Sequence, residues 1–395
     1  MDQLLRGIKV LDLTRALAGP LCTSLLSDFG ADVVKVETRG SGDSSRQWPP
    51  FDGDQSLYFA AVNRGKRSLA LDMRSERGRN LLRSLAIESD VIVENFRPGV
   101  LTDMGLDPDS LEQENPGLVI MSISGFGPVG PDQFAPGLDQ VAQGMSGLMS
   151  VTGAGDESPM RVGIPVIDTV SGIYAALGIT AALASRGRDG RGHRVQTSLL
   201  ESAISIMTFQ AQDYLSTGRV ATPNGNTHPT ITPYGAFDTA DFPINIATGS
   251  DKHWIALCAV LGDSDLAFRT EYATGKDRLE HRAELTEILE KLLTAKGAGQ
   301  WISEIRGAGI PCGPIHTIDQ VFSDPQVQAL QMVEQTQRPD GSSIPVLRGP
   351  FWVDGQALPV KNAPPMTLGG DTDAILTEFG LRPEEIDELR QNAVI

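Results

Sequence analysis

Cysteine is scarce in this 395-residue chain: Cys22, Cys258 and Cys312 are far apart and odd in number. That argues against a disulfide framework and for free thiols in a reducing compartment. Positive charge is also in deficit, with 33 Lys and Arg against 50 Asp and Glu and a net charge of −17. A nonspecific nucleic-acid binder, which needs cations in excess of its own acids, is excluded on that ground. The five histidines (193, 228, 253, 281 and 316) show no paired spacing and no C-x-x-C occurs, so no metal site is expected. The opening MDQLLRGIKVLDL lacks the basic-then-apolar order of a signal peptide, and no run reads as long enough to span a bilayer. The expectations are a cytoplasmic protein and no membrane partner. What remains is ordinary for a globular protein: 40% hydrophobic and 21% charged residues, enough to bury one large core or two smaller ones.

The first half alternates. IKVLDLT (8–14) and DVVKVE (32–37) are short β-branched runs, and CTSLLSDFG between them reads as a helix ending at Gly30, a left-handed cap. DVIVEN (90–95) and LVIMSIS (118–124) follow further helical stretches, so the fold class is α/β with a parallel sheet covered on both faces. Helices are expected from Leu138 to Met149 and, long and buried, from Asp168 to Arg186. GRVATPNGNTHPTITPYG (218–235) marks a boundary or mobile loop. Beyond it lie two strands, in GAFDTAD and FPINIATG, and an amphipathic helix over 277–295, the pattern of a smaller α/β domain.

Among the motifs, GFGPVG (125–130) has the glycine spacing of a dinucleotide loop, but Pro128 and Pro131 remove amide donors and no amphipathic helix follows. Nicotinamide and flavin are therefore not expected. Between positions 39 and 83, nine basic residues face five acids, a local excess in an acidic chain. Arg79 and Arg83, at i and i+4, read as a solvated helix face. Arg39, Arg64, Lys66, Arg67 and Arg74 lie near strand ends, where either a phosphate-facing or a surface role fits. Asp168 precedes an uncharged small-residue helix, so it is either an N-cap or a carboxylate nucleophile kept ionised by the helix's positive end.

Taken in order, VLDLTRALAGP, LLSDFGADVVKVETRGSGDSSR, NRGKRSLALDMR, DVIVENFRPGVLTDMG, GLDQVAQGMSGLMSVTG, RVGIPVIDTVSGIYAALGITAAL, GRGHRVQTSLLESA and GIPCGPIHTIDQVFSDPQV resemble the class III coenzyme A transferases, the CaiB-BaiF type that includes formyl-CoA transferase. The resemblance implies a Rossmann-like large domain (1–215 and 325–395) whose parallel sheet is formed by both chain ends, and a small domain over 225–318. Linkers fall near 216–224 and 319–324, and two subunits form an interlocked homodimer. It places the aspartate nucleophile at Asp168. Coenzyme A contacts fall at Leu17, Ala18 and Arg39, at Leu71, Asp72, Met73 and Arg74, at Asn95, Phe96 and Arg97, and at Ala135, Pro136, Gly137 and Leu138.

The resemblance further implies that coenzyme A and acyl-CoA are substrates, with no tightly bound cofactor. Asp168 would attack an acyl-CoA to give an aspartyl anhydride and then an aspartyl-CoA thioester, with backbone amides near Asp168 or glycines of the smaller domain stabilising the oxyanions. The loop Asn224–Pro233 is the candidate lid, and His228 within it is either an exposed loop histidine or a contact to the acceptor carboxylate. Formyl-CoA transferase has glutamine where Leu17 stands, a glycine run where 229–232 reads PTIT, and basic residues at the positions of Thr38, Asp103 and Pro136. A short-chain carboxylate or dicarboxylate with succinyl-CoA as donor is therefore expected rather than formate and oxalate. Two alternatives stay open. A racemase acting beside the thioester would need a general base where Leu138 stands, and a non-catalytic acyl-CoA binder could retain Asp168 as a cap.

Overall fold

β-Branched runs joined by helices long enough to return the chain to the same end of a sheet must pair in parallel. The computed structural model, which describes residues 3–155, 158–338 and 341–395, shows six such strands. They are β1 (Lys9–Asp12), β2 (Asp32–Thr38), β3 (Arg67–Leu71), β4 (Val91–Glu94), β5 (Val119–Ser124) and β6 (Arg194–Ser198), in spatial order 3-2-1-4-5-6 with every neighbour parallel. This doubly wound order puts the topological switch between β1 and β4, and a crevice opens beyond their carboxyl ends.

Helices α1 (Ala18–Asp28), α2 (Glu76–Ile87), α3 (Asp139–Met145) and α4 (Val166–Asp189) belong to the same unit. Gly30 follows α1 with φ +98°, the left-handed position read from the sequence. One core layer joins Leu11, Val34, Leu69, Leu82 and Ile92 to Ile375, Leu376, Ile386 and Leu389 near the carboxyl end. The other joins Val10, Val33, Val91 and Met121 to Cys22 and Leu26 of α1 and Ile167, Ala175 and Ile179 of α4. Among the described residues, the sheet takes no strand from the carboxyl end, which corrects the expectation that both ends build it. That end supplies the helices Thr372–Glu378 and Pro383–Gln391, whose apolar faces cover one layer.

The chain divides into two units: Met1–Met149, Arg161–Arg219 and Leu330–Ile395 form one, Ser150–Met160 and Val220–Ala329 the other. Residues 150–160 and 325–329, read from the sequence as parts of the large domain, thus group with the second unit. That unit has an antiparallel sheet of Tyr234–Phe237, Ile244–Ala247 and Cys312–Pro314, packed around Trp254, Leu257, Leu285, Leu289 and Trp301. Two expected helices are shorter than read. The stretch from Leu138 breaks at Gly147, where φ is +84°, and the 277–295 helix is interrupted at His281. One helix, α4, is long and apolar enough to cross a membrane by length and composition, which the sequence reading overlooked. It buries Ile167, Ser171, Gly172, Ala175, Ile179 and Ala182, while Ile173 and Leu177 are exposed.

Candidate active site

Asp168 is not an N-cap. Helix α4 begins at Val166 with Pro165 at the cap position, which places Asp168 in the first turn. The cap comes instead from Asp139, the first residue of α3: its Oδ1 accepts the amides of Ile167 (2.8 Å) and Asp168 (3.2 Å), and Gln143 donates to its Oδ2 (2.6 Å). The amides of Val166 and Thr169 bond the carbonyls of Ile164 and Pro165. Every amide of this turn is therefore engaged, so none is left to hold the Asp168 carboxylate, and of the two expected oxyanion donors the amides beside Asp168 are not free. Burial, with the Asp139 carboxylate close by, pushes Asp168 up to about 7. The helix's positive end is already satisfied by Asp139, so it does not keep Asp168 ionised. Burial, and then the carboxylates of Asp168, Asp139 and Asp43, also push the Tyr58 phenol up, so Tyr58 lies in the electrostatic reach of all three acids.

The residues implied for coenzyme A fall into three groups. Met73, Arg74 and Phe96 are brought together in an open pocket of about 400 Å³ beyond the carboxyl ends of β1 to β4, which Arg15 and Thr38 also line. The second group does not line that pocket. Leu17, Ala18 and Leu71 are buried, and the Leu71 carbonyl accepts the amides of Arg39 and Met73. Asp72 Oδ1 accepts the Arg74 amide at 3.1 Å. Asn95 spends its side chain across the switch point, accepting the Arg15 amide at 2.9 Å and donating to the Arg15 carbonyl at 2.8 Å. Gly137 packs on Gly125 so closely that a Cβ on either would strike the other's backbone. Ala135, Pro136 and Leu138 complete the loop leading into α3 and so to Asp139. In the third group, Arg39 points its Nε at the main-chain oxygen of Ile395 (3.0 Å), and Arg97 is exposed in the turn after β4.

Three basic residues for which the sequence left a phosphate-facing role open are committed elsewhere. Arg64 forms a buried bidentate pair with Asp28 (3.0 and 2.6 Å). Lys66 bonds Asp12 (2.9 Å), and Arg67 bridges Asp32 and Glu378 (2.7 Å each). Losing one partner of the two buried pairs, Arg64–Asp28 and Lys66–Asp12, costs several kcal/mol, because the other stays buried and unpaired. The lysine network also braces the turn before α1: Lys35 Nζ donates to the Thr14 carbonyl (2.8 Å) and pairs with Asp43 (3.0 Å), whose Oδ1 accepts the Ala16 amide (3.2 Å). Ala16 has φ +66°, strained for a residue with a Cβ, and these bonds hold it there. Burial alone would raise Asp12, but Lys66 and Lys35 outweigh it and hold the carboxyl at about 2.

In the second unit, His228 lies in the loop before Tyr234, with ring centroids 4.9 Å apart, and its Nδ1 accepts the Thr230 amide at 3.2 Å. Arg282 fastens the loop by donating to Thr232 Oγ1 (3.0 Å), Thr227 Oγ1 (3.2 Å) and the His228 carbonyl (2.7 Å).

Sequence reasoning missed Asp139, Tyr58 and Arg15. Asp139 carries one weak sign, an acid directly after an extended Gly-Leu pair and before a helical run. The other two carry none, since only the fold brings them to the site.

Comparison with known proteins identifies the family. The family model of CoA-transferase family III matches residues 5–372. A succinate–glutarate CoA-transferase of Agrobacterium fabrum is 38% identical over 382 residues, 95% of each chain. A succinyl-CoA:glutarate CoA-transferase of Mus musculus is 37% identical over 394 residues, 99% of this chain and 90% of that one. The crystal structure of a CAIB/BAIF family protein from Brucella suis superposes with a TM-score of 0.84 at 38% identity, covering 96% of this chain and 100% of that one. This chain belongs to CoA-transferase family III and is a transferase that moves coenzyme A between acids.

Proposed function

We propose that the protein transfers coenzyme A from succinyl-CoA to a short-chain dicarboxylic acid, with Asp168 as the covalent relay. The observation that carries this reading is the Asp168 carboxyl itself, half-buried in the first turn of α4 with its neighbouring amides engaged and its affinity for a proton raised to about 7. A carboxylate so weakly solvated is a stronger nucleophile than a surface one, and at neutral pH a large fraction is ionised. The names of the Agrobacterium fabrum and mouse relatives support succinyl-CoA and a five-carbon dicarboxylate as the acid pair.

The chemistry balances without an added reactant. An Asp168 oxygen bonds the thioester carbonyl carbon, the C–S bond breaks, and the thiolate leaves with the electron pair, giving a mixed anhydride. The thiolate then attacks the Asp168 carbonyl carbon, releasing the donor acid and forming an aspartyl-CoA thioester. The acceptor carboxylate attacks that thioester, and the freed thiolate takes the acceptor's acyl carbon, restoring Asp168. Water must be excluded while the anhydride exists. For the lid we favour the loop Asn224–Pro233, which Arg282 holds in one shape by donating to Thr232 Oγ1 and the His228 carbonyl.

The pocket beside Met73, Arg74 and Phe96 suits a nucleotide: an apolar and aromatic wall for the base, and cations for phosphates. We further propose that a second copy covers the apolar face of α4 that leaves Ile173 and Leu177 exposed, making the working form an interlocked homodimer. The free thiols Cys22, Cys258 and Cys312 support a cytoplasmic location. The test is incubation with succinyl-CoA and a panel of mono- and dicarboxylic acids, followed by chromatography of the acyl-CoA products. Conversion of four- to six-carbon dicarboxylates in preference to monocarboxylates is expected. Transfer to monocarboxylates alone would overturn the substrate assignment.

A further inference from the structure

Most cations around the switch point are already neutralised. Arg46 pairs with Glu37, Arg64 with Asp28, Lys66 with Asp12, Lys35 with Asp43 and Arg67 with Asp32 and Glu378. Arg77 and Arg83 pair with Glu388 and Glu114. Among the described residues, two guanidinium groups lining the pocket beyond β1 to β4 have no carboxylate partner: Arg74 and Arg15. In a chain of net charge −17, two uncompensated cations at the mouth of one pocket make that mouth a local positive site.

Arg15 has a specific setting. Its main chain is clamped by the Asn95 amide, so the residue's position does not depend on its side chain. The guanidinium reaches over the Phe96 ring, 5.4 Å from its centroid, and donates to Thr38 Oγ1 at 3.3 Å. It therefore stands across the gap between the ends of β1, β2 and β4, with one face against an aromatic ring and the remaining donors open to the pocket. A planar cation held this way on a fixed backbone is suited to bind phosphate oxygens with two parallel hydrogen bonds.

We infer that Arg15 is a phosphate-binding residue for the nucleotide part of the coenzyme A substrate, held ready by Phe96, Thr38 and Asn95. The inference rests on the reading of this pocket as the coenzyme A site, and its test separates the two. Binding of coenzyme A, 3′-dephospho-coenzyme A and pantetheine is measured by titration calorimetry for the wild type, Arg15→Gln and the control Arg188→Gln. The control makes the same charge change at an exposed residue near the carboxyl end of α4.

Arg15→Gln is expected to melt with the wild type and to bind coenzyme A about ten- to a hundredfold more weakly, the effect of losing a charge-assisted hydrogen bond. Arg188→Gln should match the wild type, and pantetheine should not distinguish the three proteins. A loss for coenzyme A alone assigns Arg15 to the 3′-phosphate; a loss for both phosphorylated ligands assigns it to the diphosphate. Equal affinities in Arg15→Gln and wild type, or an equal loss in Arg188→Gln, would overturn the inference. If the wild type bound coenzyme A no better than pantetheine, the pocket assignment itself would fall.

Discussion

Replacing Asp168 by Asn should stabilise the protein at alkaline pH while removing its activity. The native environment holds the Asp168 carboxyl at about 7, against about 3.8 for an ordinary aspartate. A group with a raised pKa binds its proton more tightly in the folded state. Its favourable contribution is complete below about pH 4 and is lost as pH rises through about 7. Roughly three pH units at 1.36 kcal/mol each set an upper bound near 4 kcal/mol. Partial solvation of this half-buried side chain reduces that to about 1–3 kcal/mol. The substituted amide carries no charge to desolvate or to repel Asp139. At pH 8 the variant should therefore melt higher than the wild type by a few degrees, at roughly 2 °C per kcal/mol for a body of this size. At pH 4 the two should coincide. The assay is thermal melting from pH 4 to 8.5 at one fixed protein concentration, since subunit association also shifts the midpoint. Equal melting temperatures at pH 8 would refute the claim that Asp168 is held in an unfavourable charged state.

Other consequences follow from the same geometry. The rate of the donor half-reaction should rise with pH through about 7 as Asp168 ionises; Asp139→Asn, which keeps an acceptor for the Ile167 and Asp168 amides, should move that midpoint down by about one unit, and an unmoved midpoint would remove Asp139 as a cause. Gly137→Ala should cost about 1–3 kcal/mol and raise the KM for acyl-CoA, because its Cβ would force the 125–137 contact apart; a variant with wild-type melting and KM would count against that constraint. His228→Ala is expected to raise the acceptor's KM more than the donor's, and equal or absent effects in steady-state kinetics would reject a carboxylate contact.

The alternation of β-branched runs and helices was enough to read a parallel α/β unit, and the place of Gly30 after α1 was local enough to read from its own neighbours. Contributions from far along the chain were not legible. Asp168 looked like a cap because a short polar residue before an apolar helix usually is one, whereas the cap is Asp139, 29 positions away and packed there only by the fold. Arg64, Lys66 and Arg67 looked available because their acids, Asp28, Asp12 and Asp32, lie on other elements. Arg15 sat unnoticed for the converse reason: a lone cation after a strand becomes conspicuous only once its neighbours are seen to be paired. Helix α4 escaped notice as a stretch of spanning length because its glycines and alanines, which let it approach α1 and β6 closely, dilute its apolar character by eye.

The central claim is that Asp168 forms a covalent bond to substrate. Intact-protein mass spectrometry after brief incubation with succinyl-CoA, run in parallel on the wild type and Asp168→Asn, tests it most directly. The account predicts a coenzyme A-sized adduct on the wild type that disappears on adding the acceptor acid, and none on the variant. Full turnover by Asp168→Asn, or an adduct retained in that variant, would contradict it.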